Sequence, residues 1–323
     1  MMNKQAVILG GGGFIGSHLS ARLVSEGYKT ILADLKAPEF RELLEHETYI
    51  QCDLRDPNSV IRLAKLGIKE WFSLAADMGG ALHVFSGDND ADIMSNSALI
   101  NINVLNALTE YSPNTRVFYS SSACVYAEEN QKDSQNPNCE ESSAWPASPD
   151  SRYGLEKLFS EKLYDSFSRN KGIETRIARY HNIYGSHGTY DGGREKAPAA
   201  LCRKVAQAMN GTSIDIWGTG QQTRSFLHVS ECVEGTLRLM RSDFQGPVNI
   251  GSTEMVTIDE LAKMIINISG KKLSINHIYG PVGVNGRCSH NELILRELGW
   301  EPTSRLVDHM AETYNWINKM VNS

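Results

Sequence analysis

Residues 6–16 constrain the fold of this chain more than any other stretch. Ala6-Val7-Ile8-Leu9 is an apolar run of strand length, and it runs straight into Gly10-Gly11-Gly12-Gly13-Phe14-Ile15-Gly16. Beyond the glycines, Leu19, Leu23 and Val24 recur at helical spacing. A buried strand that turns at once into an amphipathic helix is the opening unit of an α/β protein. Glycines at 10, 13 and 16 are what a tight turn needs if its backbone is to touch a pyrophosphate. The N–H groups and dipole of the following helix then face the anion.

The same strand-then-acid pattern repeats. Thr30-Ile31-Leu32-Ala33 ends in Asp34, Thr48–Cys52 ends in Asp53-Leu54, and Trp71–Ala76 closes at Asp77-Met78-Gly79-Gly80. Strands alternating with helical patterns imply a doubly wound parallel sheet whose ligand sits at the strand C-terminal ends. An acid at Asp34 suits the hydroxyls of an adenosine ribose and repels a 2′-phosphate, which favours NAD over NADP. Lys36 weakens that preference slightly. Asp53 is placed to meet an adenine edge.

Bulk properties narrow the class. The 323 residues are 41% hydrophobic and 22% charged, ordinary for a globular protein of one large or two moderate domains. A net charge of -6 argues against a general nucleic-acid binder. The six cysteines are scattered, with no Cys-x-x-Cys and no histidine at zinc spacing. Residues 1–5 lead directly into a strand without a signal-peptide core, and no apolar run is of membrane-spanning length. The expected setting is a reducing cytoplasm.

A second constellation lies at residues 116–157. Arg116-Val117-Phe118-Tyr119 looks like a buried strand, followed by Ser120-Ser121-Ser122-Ala123-Cys124 and later by Tyr153-Gly154-Leu155-Glu156-Lys157. If strand geometry continues, Ser122 and Cys124 point the same way. Apolar Leu155, Leu158, Phe159, Leu163 and Phe167 imply a helix on which Tyr153 and Lys157 share one face. A phenol with a pKa near ~10 is a poor base at neutral pH, but an ammonium one turn away and a cationic nicotinamide lower it. Such a face suits proton transfer coupled to hydride transfer. Between these landmarks, Asp88-x-Asp90-x-Asp92 lacks the glycine and glutamate of a calcium loop. It is expected to precede a helix over Ile93–Leu108 whose Asn103-Val104-Leu105 faces the cofactor. Ala127–Asp150 reads as a polar loop able to cap a substrate, with disorder as the competing reading.

Taken in order, the glycine loop, the acid after the second strand, the serine-rich strand end and Tyr-x-x-x-Lys resemble the extended short-chain dehydrogenase/reductase family of NAD-dependent nucleotide-sugar epimerases and dehydratases. The resemblance covers nearly the whole chain. It implies a Rossmann domain over residues 1–179 and a smaller C-terminal α/β domain over 180–323 that binds the nucleotide sugar, with the chain returning to the first domain near 226–249. By that likeness NAD contacts Gly10, Gly13, Phe14, Ile15, Gly16, Asp34, Asp53, Leu54, Ala75, Tyr153 and Lys157, and Ser122, Tyr153 and Lys157 form a catalytic triad. The sugar nucleotide contacts Gly80, Ser122, Asn182, Glu195, Lys196, Ala197, Lys204, Gln222, Arg224 and Arg287, the cations serving the diphosphate. A homodimer through the helices Ile93–Leu108 and Leu155–Phe167 is also implied.

Within the family, Ala75–Gly80, Ser121–Cys124, Ala144-Trp145-Pro146, Gly192–Lys204 and Gln222-Thr223-Arg224 resemble the branch that epimerises a GDP-mannose-like sugar at C3 and C5. There Cys124 and Lys196 would carry protons while C4 is transiently oxidised. Ala81-Leu82-His83 departs from that branch in a loop that touches the sugar, leaving another hexose or a GDP-heptose open. A 4,6-dehydratase would carry Asp-Glu where Ala123-Cys124 stands, a 4-epimerase would leave Cys124 and Lys196 spare, and a non-catalytic NAD-sensing module commonly loses the tyrosine or lysine retained here.

Overall fold

The apolar run behind the glycine loop is buried on both sides. In the computed structural model, which describes residues 4–323, Ala6 and Ile8 enter one hydrophobic layer while Val7 and Leu9 enter the opposite one. Alternate side chains of a strand leave opposite faces, so a strand apolar throughout must be covered twice.

In chain order the first half contains β1 (Gln5–Leu9), α1 (Phe14–Ser25), β2 (Lys29–Asp34), β3 (Glu47–Gln51), α2 (Pro57–Ala64), β4 (Glu70–Ser73), α3 (Ala81–Phe85), α4 (Asp90–Tyr111), β5 (Arg116–Ser122), α5 (Arg152–Lys171) and β6 (Glu174–Tyr180). The second half contains β7 (Ile183–Tyr184), α6 (Ala197–Gln207), β8 (Ser213–Trp217), β9 (Thr223–Ser225), β10 (Leu227–His228), α7 (Val229–Arg241), β11 (Val248–Ile250), β12 (Met255–Thr257), α8 (Ile258–Ser269), β13 (Ser274–Ile278), β14 (Gly286–Arg287), α9 (Glu292–Leu298) and α10 (Leu306–Asn322).

Seven parallel strands form the central sheet in the order β11-β6-β5-β4-β1-β2-β3. The order reverses at β1, which opens a crevice at the strand C-terminal ends. Leu19 and Leu23 of α1 and Val233 and Leu237 of α7 cover one face, and Leu63 of α2, Val104 and Leu108 of α4 and Tyr164 of α5 cover the other. A separate apolar core, with Leu201, Val205, Leu261, Ile265, Met310 and Ile317, joins α6, α8 and α10. Among the described residues no helix is long and apolar enough to cross a membrane.

Several local expectations are corrected. The fourth strand stops at Ser73, so Leu74–Ala76 is crevice rim. The long helix begins at Asp90, and its Asn103 donates to the carbonyls of Leu54 and Arg55 while Val104 and Leu105 are core; Asn96 and Ile100, two turns and one turn earlier, face the crevice. Residues 127–150 are mostly loop, as expected, with short helical turns inside it. Two short 3-10 turns, Glu128–Gln131 and Glu141–Ala144, bury Gln131 and Ala144.

Helix α5 buries Leu158 but leaves Phe159 51% exposed, and its buried residues include Glu156, Lys157, Ser160, Glu161 and Tyr164. Those polar groups are paired, apart from Glu156 Oε2, which is buried without a hydrogen-bond partner. Asn101 and Ser160 donate to Glu156 at 3.2 and 2.6 Å, and Arg179 forks onto Glu161 at 2.8 and 2.7 Å. Burying them is tolerable only because their partners are in place.

Candidate active site

The glycine loop is a cradle that side chains would fill. Gly10 has φ +80, and a β-carbon on it would lie 2.8 Å from the Ala75 nitrogen; one on Gly16 would lie 2.3 Å from the Gly10 oxygen. The N-cap of α1, Gly13, makes no side-chain capping bond, so the first turn presents its N–H groups to the crevice. Asp34 accepts from the Gly12 and Leu35 nitrogens at 3.0 and 2.7 Å. Burial pushes its carboxyl up, and those backbone donors oppose the shift. The exposed Lys36 ammonium pairs with Glu39 at 2.7 Å, while its charge still helps lower the Asp34 carboxyl.

A cleft of about 530 Å³ brings together Gly10, Gly13, Phe14, Ile15, Gly16, Asp34, Asp53, Leu54, Ala75, Tyr153 and Lys157. The glycine cradle, the free helix N-terminus and the anchored Asp34 fit a dinucleotide. Asp53 pairs with Arg55 at 2.7 Å, and hydrogen bonds from that guanidinium hold its carboxyl below the usual range. The sequence reading missed Arg55, Asn96, Ile100 and Thr313 on this cleft. Thr313 arrives from α10, and no local motif marks it.

Next to it, a cleft of about 500 Å³ brings together Gly80, Ser122, Cys124, Asn182, Glu195, Lys196, Ala197, Lys204, Gln222 and Arg224. Ser122, Tyr153 and Lys196 line both clefts and form the seam between them. Trp217, Phe85, Phe226 and Val282 complete the second wall and were not singled out as contacts.

At the seam, β5 ends at Ser122 and the chain turns into a 3-10 helix over Ala123–Val125. Strand alternation therefore does not place Cys124, as expected. The turn does, with the Cys124 nitrogen donating to Ser122 Oγ at 3.2 Å. Helix α5 is capped by Ser151, which accepts from the Gly154 nitrogen at 3.1 Å, and it carries Tyr153 and Lys157 on one face. Lys157 Nζ donates to the Ser120 carbonyl at 2.8 Å and sits 5.7 Å from the Tyr153 ring centroid. Burial raises the Tyr153 phenol, Cys124 and Glu156 reinforce that, and Ser122 opposes it. Burial lowers the Lys157 ammonium, and nearby carboxylates oppose that.

Lys196 is the N-cap of α6, so the start of that helix places it at the seam. Burial lowers its ammonium while Cys124 works the other way. Burial and then Asp150 raise the Cys124 thiol, against Arg287 and Ser122.

The expected diphosphate cations are less free than isolated motifs suggest. Arg287 is absent from both clefts' linings; it donates to Gln131 Oε1 at 2.6 Å and Cys124 Sγ at 3.3 Å and pairs with Asp150. Its guanidinium backs the thiol rather than an open surface. Arg224 donates to the carbonyls of Thr223, Val282 and Val284, and burial pushes it down to about 9. Lys204 donates to the Asp215 carbonyl at 2.6 Å. Asn182 holds φ +42 and donates to the Ser225 carbonyl at 2.9 Å.

Comparison with known proteins adds to this geometry. Residues 6–251 match the model of the NAD dependent epimerase/dehydratase family. The chain is 46% identical over 320 residues to GDP-mannose 3,5-epimerase of Arabidopsis thaliana, covering 99% of this chain and 83% of that one. It is also 46% identical over 316 residues to GDP-mannose 3,5-epimerase 1 of Oryza sativa subsp. japonica, covering 97% and 82%. In fold it is similar to UDP-glucuronic acid 4-epimerase from Bacillus cereus, solved with UDP-glucuronic acid and NAD. That match has TM-score 0.83 and 24% identity, and covers 98% of this chain and 99% of that one.

Proposed function

The chain belongs to the NAD dependent epimerase/dehydratase family, and we propose that it inverts a GDP-linked, mannose-like sugar at C3 and C5 through a transient C4 ketone. The carrying observation is the placement of Cys124 and Lys196. They enter from different elements and both line the second cleft together with Ser122 and Tyr153. A C4 epimerisation would use neither. The identity to two GDP-mannose 3,5-epimerases supports the same reading.

Bound NAD supplies a reversible hydride acceptor for C4. Tyr153 is the group that takes and returns the proton of the C4 hydroxyl, and Ser122 holds that oxygen in line. Lys157, fixed on the Ser120 carbonyl, stabilises the phenolate that burial otherwise disfavours. With a ketone at C4 the flanking C–H bonds become acidic. Cys124 and Lys196 then remove and return protons there; burial lowers the Lys196 ammonium toward neutrality, whereas it raises the Cys124 thiol and so works against its thiolate. Arg287, 3.3 Å from the sulfur, favours the thiolate.

The test is incubation with a panel of nucleotide sugars in deuterated water, read by mass spectrometry and proton NMR. Deuterium is expected at C3, C5 or both. Cys124→Ala and Lys196→Ala should each lose exchange by the ~10²–10⁴-fold typical of a positioned acid or base, and Tyr153→Phe should abolish it. Exchange undiminished in both single variants would remove them as proton carriers, and turnover without skeletal deuterium would indicate a 4-epimerase.

The same reading includes a homodimer in a cytoplasmic setting. Leu99 and Ile102 on α4 and Phe159 on α5 are exposed on neighbouring helices, and all six cysteines are unpaired.

A further inference from the structure

A cluster of histidines stands apart from the catalytic seam and has no part in the chemistry above. His228 closes β10 and caps α7; it is 7% exposed, and its Nε2 is buried with no hydrogen-bond partner. A buried imidazole nitrogen without a partner is costly and rare. Its other nitrogen, Nδ1, lies 2.8 Å from Ser230 Oγ. The Ser230 N–H also donates to Nδ1, at 3.4 Å; with that long cap exchanged for an Nδ1–H bond to the hydroxyl, Nε2 carries a free lone pair, as in a metal-binding histidine oriented by an outer partner.

Two further donors face it from α10. The His309 ring stacks on His228 with centroids 4.1 Å apart and planes 5° apart, and Glu312 Oε2 lies 4.0 Å from His309 Nδ1. One ligand atom from each of His228, His309 and Glu312 falls within 4.8 Å of the others. The Ser186 hydroxyl donates to the second Glu312 oxygen at 3.3 Å, so this ligand also has an outer partner.

We propose that His228, His309 and Glu312 form a zinc-class divalent cation site that ties α10 to the start of α7. Two imidazoles and a carboxylate are a borderline nitrogen/oxygen set, suited to a tetrahedral ion whose fourth ligand is water. Zn–N bonds of about 2.0–2.1 Å place tetrahedral donors about 3.3 Å apart. The trio must therefore close from 4.8 Å, with the parallel rings tilting open. His228 is fixed, whereas the His309 and Glu312 side chains are 29% and 60% exposed and free to move onto it.

The position gives the ion something to do. A β-carbon on Gly185 would sit 3.3 Å from His228 Nε2, and Gly185 and Thr313, the latter adjacent to Glu312, both line the cofactor cleft. A bridge here clamps the wall that α10 contributes to that cleft.

The experiment uses the full chain, stripped with a chelator, dialysed and titrated with zinc against a chromophoric competitor. X-ray absorption and thermal unfolding are measured in parallel. One zinc per chain is expected, with only nitrogen and oxygen neighbours and a higher melting temperature. His309→Ala and Glu312→Gln change partly exposed positions and should leave the apo fold intact by circular dichroism. Each should weaken zinc by more than the ~10-fold that losing an outer-shell partner typically causes. No uptake in the micromolar range, a sulfur neighbour in the absorption spectrum, or unchanged affinity in the double variant would overturn the site.

Discussion

Replacing Gly154 with alanine should uncouple stability from catalysis. A β-carbon at residue 154 would lie 1.9 Å from the Cys124 carbonyl oxygen, whereas real β-carbons keep at least 3.0 Å, so α5 and the turn after β5 must separate by about 1.1 Å. The obstructing atom is backbone, so no side-chain rotation relieves it. Alanine improves helix propensity by about 1 kcal/mol, and overpacking costs about 1–3 kcal/mol. The net loss of stability is then between about zero and 2 kcal/mol. Catalysis has no such compensation, because Tyr153 and Cys124 sit on the two sides of the contact. A misplacement near 1 Å lowers rate by roughly 10²-fold. Urea unfolding should show a folded, modestly weakened protein, and deuterium exchange into the sugar should fall about a hundredfold. Exchange near the parent rate in a folded variant would refute the view that this contact sets the site's geometry.

Arg287→Gln leaves Asp150, whose side chain is 0% exposed, as a buried carboxylate without its ion pair. It should lose about 3–5 kcal/mol by denaturant unfolding and recover part of that when combined with Asp150→Asn. Removing the guanidinium should also slow alkylation of Cys124, which peptide mapping after iodoacetamide reads directly. Burial pushes His181 down to about 3, with its Nε2 hydrogen-bonded to Asn249 at 2.9 Å. Because the unfolded chain binds that proton near pH 6.5 and the folded one does not, this contribution is full above 6.5 and declines below it. The loss is about 1.4 kcal/mol per pH unit, seen as a reduced acid slope when His181 is replaced by Gln. Light scattering at micromolar concentration should give the mass of two chains, falling toward one when Leu99 and Phe159 both become Lys.

Patterns that repeat over short distances were legible from residues alone. The strand–glycine–helix unit, the acids after β2 and β3 and the alternation of strands and helices each express one local requirement, a buried strand or a free helix N-terminus. So does Tyr153 one turn from Lys157, since helix periodicity alone puts them on one face. Other features depend on partners distant in sequence. The apolar spacing of α5 marks it as a helix, but its polar face is buried because Asn101 and Arg179 meet it from α4 and β6. Cys124 reaches the second cleft by a 3-10 turn, and α5 approaches its carbonyl closely because residue 154 has no side chain. Arg287 read as one more diphosphate cation until folding set it against Asp150 and the Cys124 sulfur. His228, His309 and Thr313 carried no signal, because a cluster joining two helices distant in sequence has no spacing to read. The sequence determined the sheet and the residue types its crevice offers. Which charges are free, and which are consumed by one another, was decided only by the packing that removes water from them.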